Sequence, residues 1–415
     1  MSASKVLSHR TIWWCAACLL ILAAAGCWLL LSLYGHGSDG DTAHLEGVRT
    51  VATIVLGAGG FVALLLAARR QQTAEQDLAT KRRDLWLREK ANDDARHDAV
   101  ERRITELYLK SVEQLGSDKA PVRLSGLYAL DRLAQDNSSQ RQTIVNVVSA
   151  YLRMPYELPG GVPVPEADKE VREEYSSRMQ EREVRLTAQR ILTGHLDPQH
   201  GDGSRFWEGV DLDLSGALLV DFTVRGGRIN NARFLESRFV GDVLLMGVSF
   251  TGETRFEGAT FEGDSWFSEA DFQGNVRFDR ARFVGDARFD EATFTGATVF
   301  RDTVFTRDAR FDKVAFTGAV VFSGAAFTRD ASFGEASFIE DLWLPGAIFS
   351  RHADFDRATF ARDAWFSRVA FSSRTSFAEA NFVGNIRFTD ATLDGVPYLP
   401  EQLRSEAAYD GQSID

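Results

Sequence analysis

Cysteine is the residue type in this chain best suited to redox or metal chemistry, and its three copies lie near the amino terminus. Cys15 and Cys18 form a Cys-x-x-Cys pair, and Cys27 follows them. Such a pair binds zinc or exchanges electrons at the end of a folded soluble element with further ligands nearby. All three thiols lie instead inside one apolar segment, so we predict neither a metal site, a redox site nor a disulfide framework.

Cys27 allows one other chemistry. The Ala-Ala-Gly-Cys sequence that ends at Cys27 resembles a lipoprotein cleavage site, after which this cysteine becomes the lipidated amino terminus. Residues 28–33 remain largely apolar, whereas a lipoprotein usually turns polar at this point. A membrane-spanning segment is therefore the favoured interpretation, and lipidation of Cys27 is the alternative.

Other residue types used in catalysis are present without the spacing that catalysis needs. The Gly57-x-Gly59-Gly60 sequence lies in an apolar segment and does not fit a phosphate-binding loop. Single carboxylates such as Asp271 and Asp290 recur with a regular period, which indicates corner hydrogen-bonding groups and not acid–base pairs. The histidines show neither metal-ligand spacing nor a nucleophile partner: His9, His36, His44, His97, His195, His200 and His352. We therefore predict that the protein is not an enzyme and has no catalytic, cofactor-binding or metal-binding residues.

Charge is distributed unevenly along the 415 residues. The chain has 47 Lys and Arg against 59 Asp and Glu, a net charge of -12 at pH 7. Residues 206–395 alone have 20 basic and 29 acidic side chains, so the acidity lies in the carboxyl-terminal half. A negative domain lacks the attraction to phosphate on which nucleic-acid binding depends, and we expect no nucleic-acid partner.

Two apolar segments occupy the amino-terminal region. Residues 12–34 and 50–68 contain no charged side chain over 23 and 19 residues, and each is long enough to cross a hydrocarbon layer of ~30 Å as a helix. We predict that residues 1–70 form a two-helix transmembrane anchor. Neither segment contains an ionisable acid or base, so a transport pathway would lack an intramembrane charge.

The charges that flank the two segments indicate their orientation. Lys5 and Arg10 precede the first segment, and Arg69 begins a basic region after the second. Acidic residues, including Asp39, dominate the short connection. Because basic flanks stay on the cytoplasmic side, we predict both termini and the carboxyl-terminal half in the cytoplasm, with the anchor in an inner or plasma membrane.

Residues 71–118 are predicted to continue the second segment as a juxtamembrane helix, since Gly and Pro are absent until Gly116. Leu78 and Leu85 are one heptad apart, but the next heptad positions hold Asn and Ala. This apolar seam is thin for a coiled coil. A solvated stalk is favoured, and a coiled-coil dimer is the alternative.

Residues 119–205 are predicted to form a helical hairpin, a proline-rich linker and a connecting helix. Pro121 fits the first turn of the first helix. Ser139 and Gln142 have the spacing of a capping box for the second helix, whose apolar residues recur with helical spacing. After the linker, residues 166–193 have the composition of a charged helix.

Self-similarity is the strongest signal in the carboxyl-terminal half. Apolar residues recur every five residues from Leu214 to Phe239, and then at alternating intervals of six and five residues as far as Leu393. Of these 34 positions 27 are Phe, and the residue two earlier is usually small. A square coil accounts for the period, because the small and apolar residues then point inward, the residue between them points outward and two residues turn each corner.

This pattern resembles the pentapeptide-repeat family, whose consensus is a small residue, Asp or Asn, Leu or Phe, and two variable residues. Residues 270–272 (Ala-Asp-Phe) and 380–382 (Ala-Asn-Phe) follow it closely. The resemblance implies a right-handed quadrilateral β-helix over residues 206–395, and hence an α+β multidomain chain. Residues 114–132 and 187–192 also resemble the helical region beside such repeats in bacterial, membrane-anchored members.

The alternating intervals depart from the strict five of the family. Every second unit has a sixth residue in a Gly-Asn, Gly-Asp or Arg-Asp turn, so we predict two enlarged corners in each coil. A full coil then consists of two units of five and two units of six, and the 34 units make about eight and a half coils. Residues 396–415 are predicted to cap the last apolar layer, as solenoids require.

Function is indicated less directly than architecture. With catalysis disfavoured, we expect a non-enzymatic, membrane-anchored scaffold or protein-interaction module that presents its repeat domain to a protein partner or to a second copy of itself. The alternative is a DNA mimic that regulates a DNA-binding enzyme such as gyrase, which the resemblance to some soluble members implies. The membrane anchor and the arginines interspersed among the acids disfavour this alternative, because paired charges make no continuous negative groove.

Outward positions that lie one full coil apart provide the candidate binding surface. They place one set of apolar residues in a column and a second set in the next column: Val299, Val321, Trp343 and Trp365, then Val304, Ala326, Ile348 and Ala370. The other two columns are mostly polar, so these eight residues, the apolar strip, are predicted to mark an interface. The alternative is that Val, Ile and Trp are simply good strand residues that stack in ladders.

Overall fold

The computed structural model describes residues 9–34, 41–199 and 203–398. The chain divides into two compact units, Met1–Arg102 and Arg103–Asp415. Helices and one 3-10 turn precede the strands in chain order: α1 His9–Tyr34, α2 Asp41–Leu115, α3 Ala120–Asp136, the 3-10 turn Ser138–Gln140, α4 Arg141–Arg153 and α5 Lys169–Gly194.

Helix α2 runs without interruption for 75 residues. Among the described residues it contains the one stretch, within Arg49–Leu115, that is long and apolar enough to cross a membrane, and none of its apolar window is buried. The apolar segment Trp13–Gly26 of α1 is shorter. The two-span hairpin therefore stays a prediction, and the flanking Lys5 and Asp39 lie outside the described residues.

Beyond the apolar window, α2 continues through the predicted juxtamembrane region. Leu78 and Leu85 are 55% and 64% exposed, so neither side chain is buried by the residues that the structure describes. This exposure fits a solvated stalk and also fits a coiled coil with a second copy. Both interpretations stay open.

Helices α3, α4 and α5 pack on one another and form the helical part of the second unit. Pro121 lies in the first turn of α3, as predicted. Leu127 of α3, Leu152 of α4 and Ala188 of α5 are fully buried. Gly126 allows α3 to approach α2 closely, because a Cβ at this position would lie 2.8 Å from the carbonyl oxygen of Ser111.

The predicted capping box at Ser139 and Gln142 is wrong. Ser139 lies in the 3-10 turn, and α4 begins at Arg141 without a side-chain cap. The Gln142 amide instead bonds the main chain of Asp211, donating to its carbonyl oxygen at 2.9 Å and accepting from its N–H at 2.9 Å. The Gln142 side chain therefore does not cap α4 and instead connects α4 to the first coil.

Short strands, most of them two residues long, build the carboxyl-terminal domain. They stack into four sheets, sides 1 to 4, which follow one another around each coil and confirm the quadrilateral β-solenoid of about eight turns. Its right-handed sense stays an implication of the resemblance.

The four sides differ in their number of strands. Side 1 has nine strands: Leu212–Asp213, Ala232–Arg233, Thr254–Arg255, Val276–Arg277, Thr298–Val299, Val320–Val321, Leu342–Trp343, Ala364–Trp365 and Ile386–Arg387. Side 2 has ten: Leu218–Val220, Arg238–Val240, Thr260–Phe261, Arg282–Phe283, Val304–Phe305, Ala326–Phe327, Ile348–Phe349, Ala370–Phe371, Thr392–Leu393 and the antiparallel Val396–Pro397. Side 3 has seven: Val243–Leu244, Ser265–Trp266, Ala287–Arg288, Ala309–Arg310, Ala331–Ser332, Ala353–Asp354 and Thr375–Ser376. Side 4 has eight: Arg228–Ile229, Ser249–Phe250, Asp271–Phe272, Thr293–Phe294, Ala315–Phe316, Ser337–Phe338, Thr359–Phe360 and Asn381–Phe382.

Strand registers give the coil length directly. Thr298 pairs in parallel with Val320, which lies two units of five and two units of six later. Leu212 pairs with Ala232 after four units of five, so the first coil is shorter. Corners from side 1 to side 2 and from side 3 to side 4 are tight and use residues with positive φ, such as Asp302 at 54°. The other two corners hold the sixth residue.

Phenylalanine rings fill the interior of the coils. The rings of Phe311 and Phe333, predicted to be neighbours, lie 4.9 Å apart and 3° from parallel. A single cluster of buried apolar residues extends from Leu115 at the end of α2 through the helices and the coils to Tyr398. Tyr398 is 8% exposed and covers the last layer, while residues 399–415 of the predicted cap lie outside the described residues.

Candidate functional site

The first column of the apolar strip lies on side 1. Parallel pairing joins Val299 to Val321, Val321 to Trp343, and Trp343 to Trp365. Each of these residues follows an inward-pointing neighbour such as the buried Thr298, so its own side chain points away from the core. The structure therefore brings these four predicted site residues together in one row.

The second column lies on side 2, which follows side 1 around each coil. Val304 pairs with Ala326, Ala326 with Ile348, and Ile348 with Ala370. Ile348 is 48% exposed. The two columns thus occupy consecutive sides of the same four coils. The role of the strip as an interface stays a prediction.

Trp343 and Trp365 form a stacked pair. Their ring centroids are 5.0 Å apart and the planes differ by 4°. Each ring covers a face of the other and both remain partly exposed. This is the ladder that strand-forming residues produce, and the same ladder presents a wide apolar surface. Stacking therefore agrees with both sequence interpretations.

Two apolar residues beside side 1 were missed from the sequence. Ile339 and Val383 are 44% and 53% exposed and occupy equivalent enlarged corners that lead into side 1. They share the column spacing, with Ala361 between them. Alignment of the corner positions at the interval of one coil would have found them, because that interval holds for corners as well as for strands.

The amino-terminal part of side 1 has a different chemistry. Its outward row begins with Asp213, after which Arg233, Arg255 and Arg277 follow before the row becomes apolar. Arg255 bonds Glu257 at 2.8 Å and Arg277 bonds Asp279 at 3.0 Å, while both carboxylates are nearly buried. The hydrogen bond that Arg255 donates to Glu257 raises the pKa of the Arg255 guanidinium above its ordinary value. Arginine and acid therefore neutralise each other along this ladder.

Carboxylates concentrate on side 3 and at its corners. Burial, and then the nearby charge of Asp312, raise the pKa of the Asp290 carboxyl above its ordinary value. Asp312 accepts a hydrogen bond from the N–H of Gly334 in the next coil at 3.0 Å, as the predicted corner role requires. Asp271 departs from that prediction, because it lies in a strand of side 4 and accepts from the Gln273 amide at 2.8 Å.

Comparison with known families identifies the repeats of the carboxyl-terminal domain. Residues 245–293, 278–323, 311–359 and 355–397 match the family described as pentapeptide repeats (9 copies). The β-solenoid is a pentapeptide-repeat domain. Its first coils precede the matched residues but pair with them in the same parallel sheets. No match was found among curated proteins or among solved structures.

Beside the pentapeptide-repeat domain, His195 occupies a buried position. Its ring stacks on Trp207 at 3.7 Å, and its two nitrogens face the carbonyl oxygen of Arg205 and the carboxylate of Asp131. Both ring nitrogens are therefore engaged by other groups of the protein. The contacts of His195 therefore join Asp131 of α3 to residues 205–207, which precede the first coil.

The described part of the chain contains no cluster of three or more His, Cys, Asp or Glu that could hold a metal ion. Cys15 and Cys18 are exposed on α1. The expectation that the protein is not an enzyme and needs no cofactor stays a prediction.

Proposed function

We propose that the protein is a non-enzymatic, membrane-anchored scaffold whose pentapeptide-repeat domain binds a protein through the apolar strip. The observation that supports this most directly is the partly exposed Trp343 and Trp365 pair, with Ile348 on the adjoining side. Interfaces draw most of their energy from a few aromatic and aliphatic anchors in such patches. The corner residues Ile339 and Val383 widen the same apolar surface.

The anchor is part of the proposal. Leu56 and Leu64 in the apolar part of α2 are 77% and 70% exposed, and such a surface needs an apolar environment. A bilayer supplies it. We place both termini and the pentapeptide-repeat domain in the cytoplasm, with α1 and the first part of α2 as the two spans of an inner or plasma membrane.

The DNA-mimic alternative receives less support. A mimic needs a continuous negative surface, whereas the outward rows contain Arg233, Arg255 and Arg277 on side 1 and Arg288 and Arg310 on side 3. The ion pairs of side 1 cancel the charge of its acids. Binding to a DNA-binding enzyme is therefore kept as an outcome to be tested.

The test is recovery of partners by proximity labelling of the full-length protein in membranes. Replacing Trp343 and Trp365 together by Ser should weaken association by at least ~2 kcal/mol, or about thirtyfold in affinity. Trp266→Ser is the matched control, because Trp266 is also a partly exposed outward tryptophan but lies on side 3. Unchanged recovery of partners by the double variant would contradict the role of the apolar strip as the binding surface.

Acidic substitutions separate the two functions. Asp286→Asn and Asp308→Asn should leave a partner of the strip bound, whereas a gyrase-like partner of a DNA mimic should be lost. Binding of a mimic should also weaken with added salt, because charge pairs at an exposed surface are screened. Loss with the acidic variants and not with the tryptophan variants would favour the mimic.

A further inference from the structure

The first column of the apolar strip changes in size along side 1. Its two amino-terminal members are valines, Val299 and Val321, and its two carboxyl-terminal members are tryptophans, Trp343 and Trp365. All four side chains point outward and are partly exposed. Because a tryptophan extends farther from its strand than a valine, the surface of side 1 is low over two coils and raised over the next two.

This surface is complementary to a second copy of itself. A two-fold axis that is perpendicular to side 1 and passes between Val321 and Trp343 reverses the order of the coils in the second copy. It places Trp343 of each copy on Val321 of the other, and Trp365 on Val299, as an isologous interface requires. Each raised ring then meets a low position. No other two-fold register along this column covers all four residues.

The charges at the two edges of side 1 agree with this arrangement. In the four coils of the strip, the enlarged corners before side 1, the leading edge, contain three acids and one arginine: Glu340, Asp341, Arg362 and Asp363. The tight corners after side 1, the trailing edge, contain two arginines and one acid in the same coils: Arg301, Asp302 and Arg368. The two-fold axis places the leading edge of each copy against the trailing edge of the other. An edge with excess negative charge therefore meets an edge with excess positive charge, which favours association.

Individual charges match in order as well. The axis exchanges the coil of Arg301 and Asp302 with the coil of Arg362 and Asp363. Arg301 and Asp363, the residues closer to side 1, then face each other across the interface, and so do Asp302 and Arg362. Arg301 and Arg362 are 56% and 64% exposed, and their contacts with acids of their own chain are long, at 3.9 Å and 3.7 Å. Both guanidinium groups therefore keep donors for a second copy.

The ends of the outward row do not oppose this pairing. The axis places Arg277 near Arg387 of the second copy. The Arg277 guanidinium lies 3.0 Å from the carboxylate of Asp279 and 3.4 Å from that of Glu257. Its positive charge is therefore already balanced within its own chain.

We propose that the apolar strip binds a second copy of this chain, with the two solenoids antiparallel and side 1 of each packed on side 1 of the other. This inference rests on the proposed function, because it names the partner of the same strip. Anchoring of both copies in one membrane raises their effective concentration, so a contact of modest affinity is sufficient. The second column of the strip, which includes Ile348, lies on side 2 and outside this contact.

Sedimentation equilibrium of the full chain in detergent tests the proposal. We expect a monomer–dimer equilibrium, and Trp343→Ser together with Trp365→Ser should weaken the dimer at least about thirtyfold, since each substitution occurs twice at a two-fold interface. Ile348→Ser is the matched control, because it removes a 48% exposed apolar side chain from side 2 and should leave the dimer unchanged. A native chain that stays monomeric overturns the proposal. A dimer that the tryptophan variant leaves unchanged also overturns it and places the contact elsewhere, for example in the stalk.

Charge reversal tests the antiparallel register. Asp302→Arg and Arg362→Glu should each weaken the dimer at least about tenfold, because like charges then face each other at both edges. Each new residue type already occurs at the equivalent corner of another coil, at Arg280 and at Glu340, so both variants should fold. An equimolar mixture of the two variants should dimerise like the native chain, because the new arginine of one chain then faces the new glutamate of the other. Failure of the mixture to recover the dimer overturns this register.

The inference and the proposed function fail separately. A monomeric chain whose partner recovery from membranes still depends on the two tryptophans would overturn the second copy as the occupant and keep the strip as a binding surface. If the tryptophan variant changes neither self-association nor partner recovery, both the inference and the proposed function are overturned.

Discussion

Replacing Phe311 by Ala tests the interior of the solenoid. Its ring is fully buried and stacks between Phe289 at 4.8 Å and Phe333 at 4.9 Å, with edge contacts to Phe300 and Phe322. Truncation of a buried Phe costs about 3–5 kcal/mol, and the upper part of this range applies because the coils above and below fix the spacing and cannot collapse into the space.

Repeat proteins lose structure locally, so the readout must resolve individual coils. Hydrogen exchange measured by mass spectrometry on the full chain should show faster exchange of the main-chain amides in the coils of Phe289, Phe311 and Phe333. Coils several layers away should change little. The urea midpoint should fall in parallel.

Two controls make this prediction specific. Arg310→Ala changes the adjacent residue, whose side chain is exposed on side 3, and should alter stability by less than about 0.5 kcal/mol. Phe382→Ala removes a ring with one stacked neighbour, Phe360 at 4.6 Å, and should cost less than the change at Phe311. Equal effects at Arg310 and Phe311 would refute the inward register.

Three other predictions follow from the helices, the acids and the anchor. Gly126→Ala should lower the stability of the helical region by more than about 1 kcal/mol in urea denaturation, because the added Cβ meets main-chain atoms of α2; an unchanged midpoint would mean that the helices can separate at no cost. The raised pKa of Asp290 means that its charged form is disfavoured in the folded state, so stability should increase as the pH falls through that raised pKa. Asp290→Asn should stabilise the protein at neutral pH and reduce this increase, and an unaltered pH profile would argue against it. An alkaline phosphatase fused after Asp415 should be inactive, since we place this terminus in the cytoplasm; activity would overturn the topology and revive lipidation of Cys27.

The interior could be predicted because its period is local. An inward Phe such as Phe272 recurs every five or six residues, and the same positions of each unit point inward and outward. The combined length of four such units is the length of one coil, and this length determines which residues pair between coils. The outward columns, including Trp343 and Trp365, could be assigned for the same reason.

The junction between helices and solenoid could not be predicted, because its contacts join residues far apart in the chain. Gln142 bonds Asp211, 69 residues away, and Gln189 bonds the main chain of Val220, 31 residues away. Neither glutamine belongs to a repeat. The sequence near Gln142 indicated a capping box, but Gln142 forms tertiary hydrogen bonds with Asp211 instead.

Coil length also determines how the solenoid can change in evolution. Since equivalent residues such as Phe272 and Phe294 are separated by one whole coil, duplication of a coil inserts a layer without moving any residue to another side. Such a duplication lengthens the domain by about 4.8 Å and preserves the pattern of each face. A deletion of one or two residues from a strand would instead rotate every later side chain out of place. The length of this domain is therefore free to vary in whole layers, while the chemistry of each face can be altered one residue at a time.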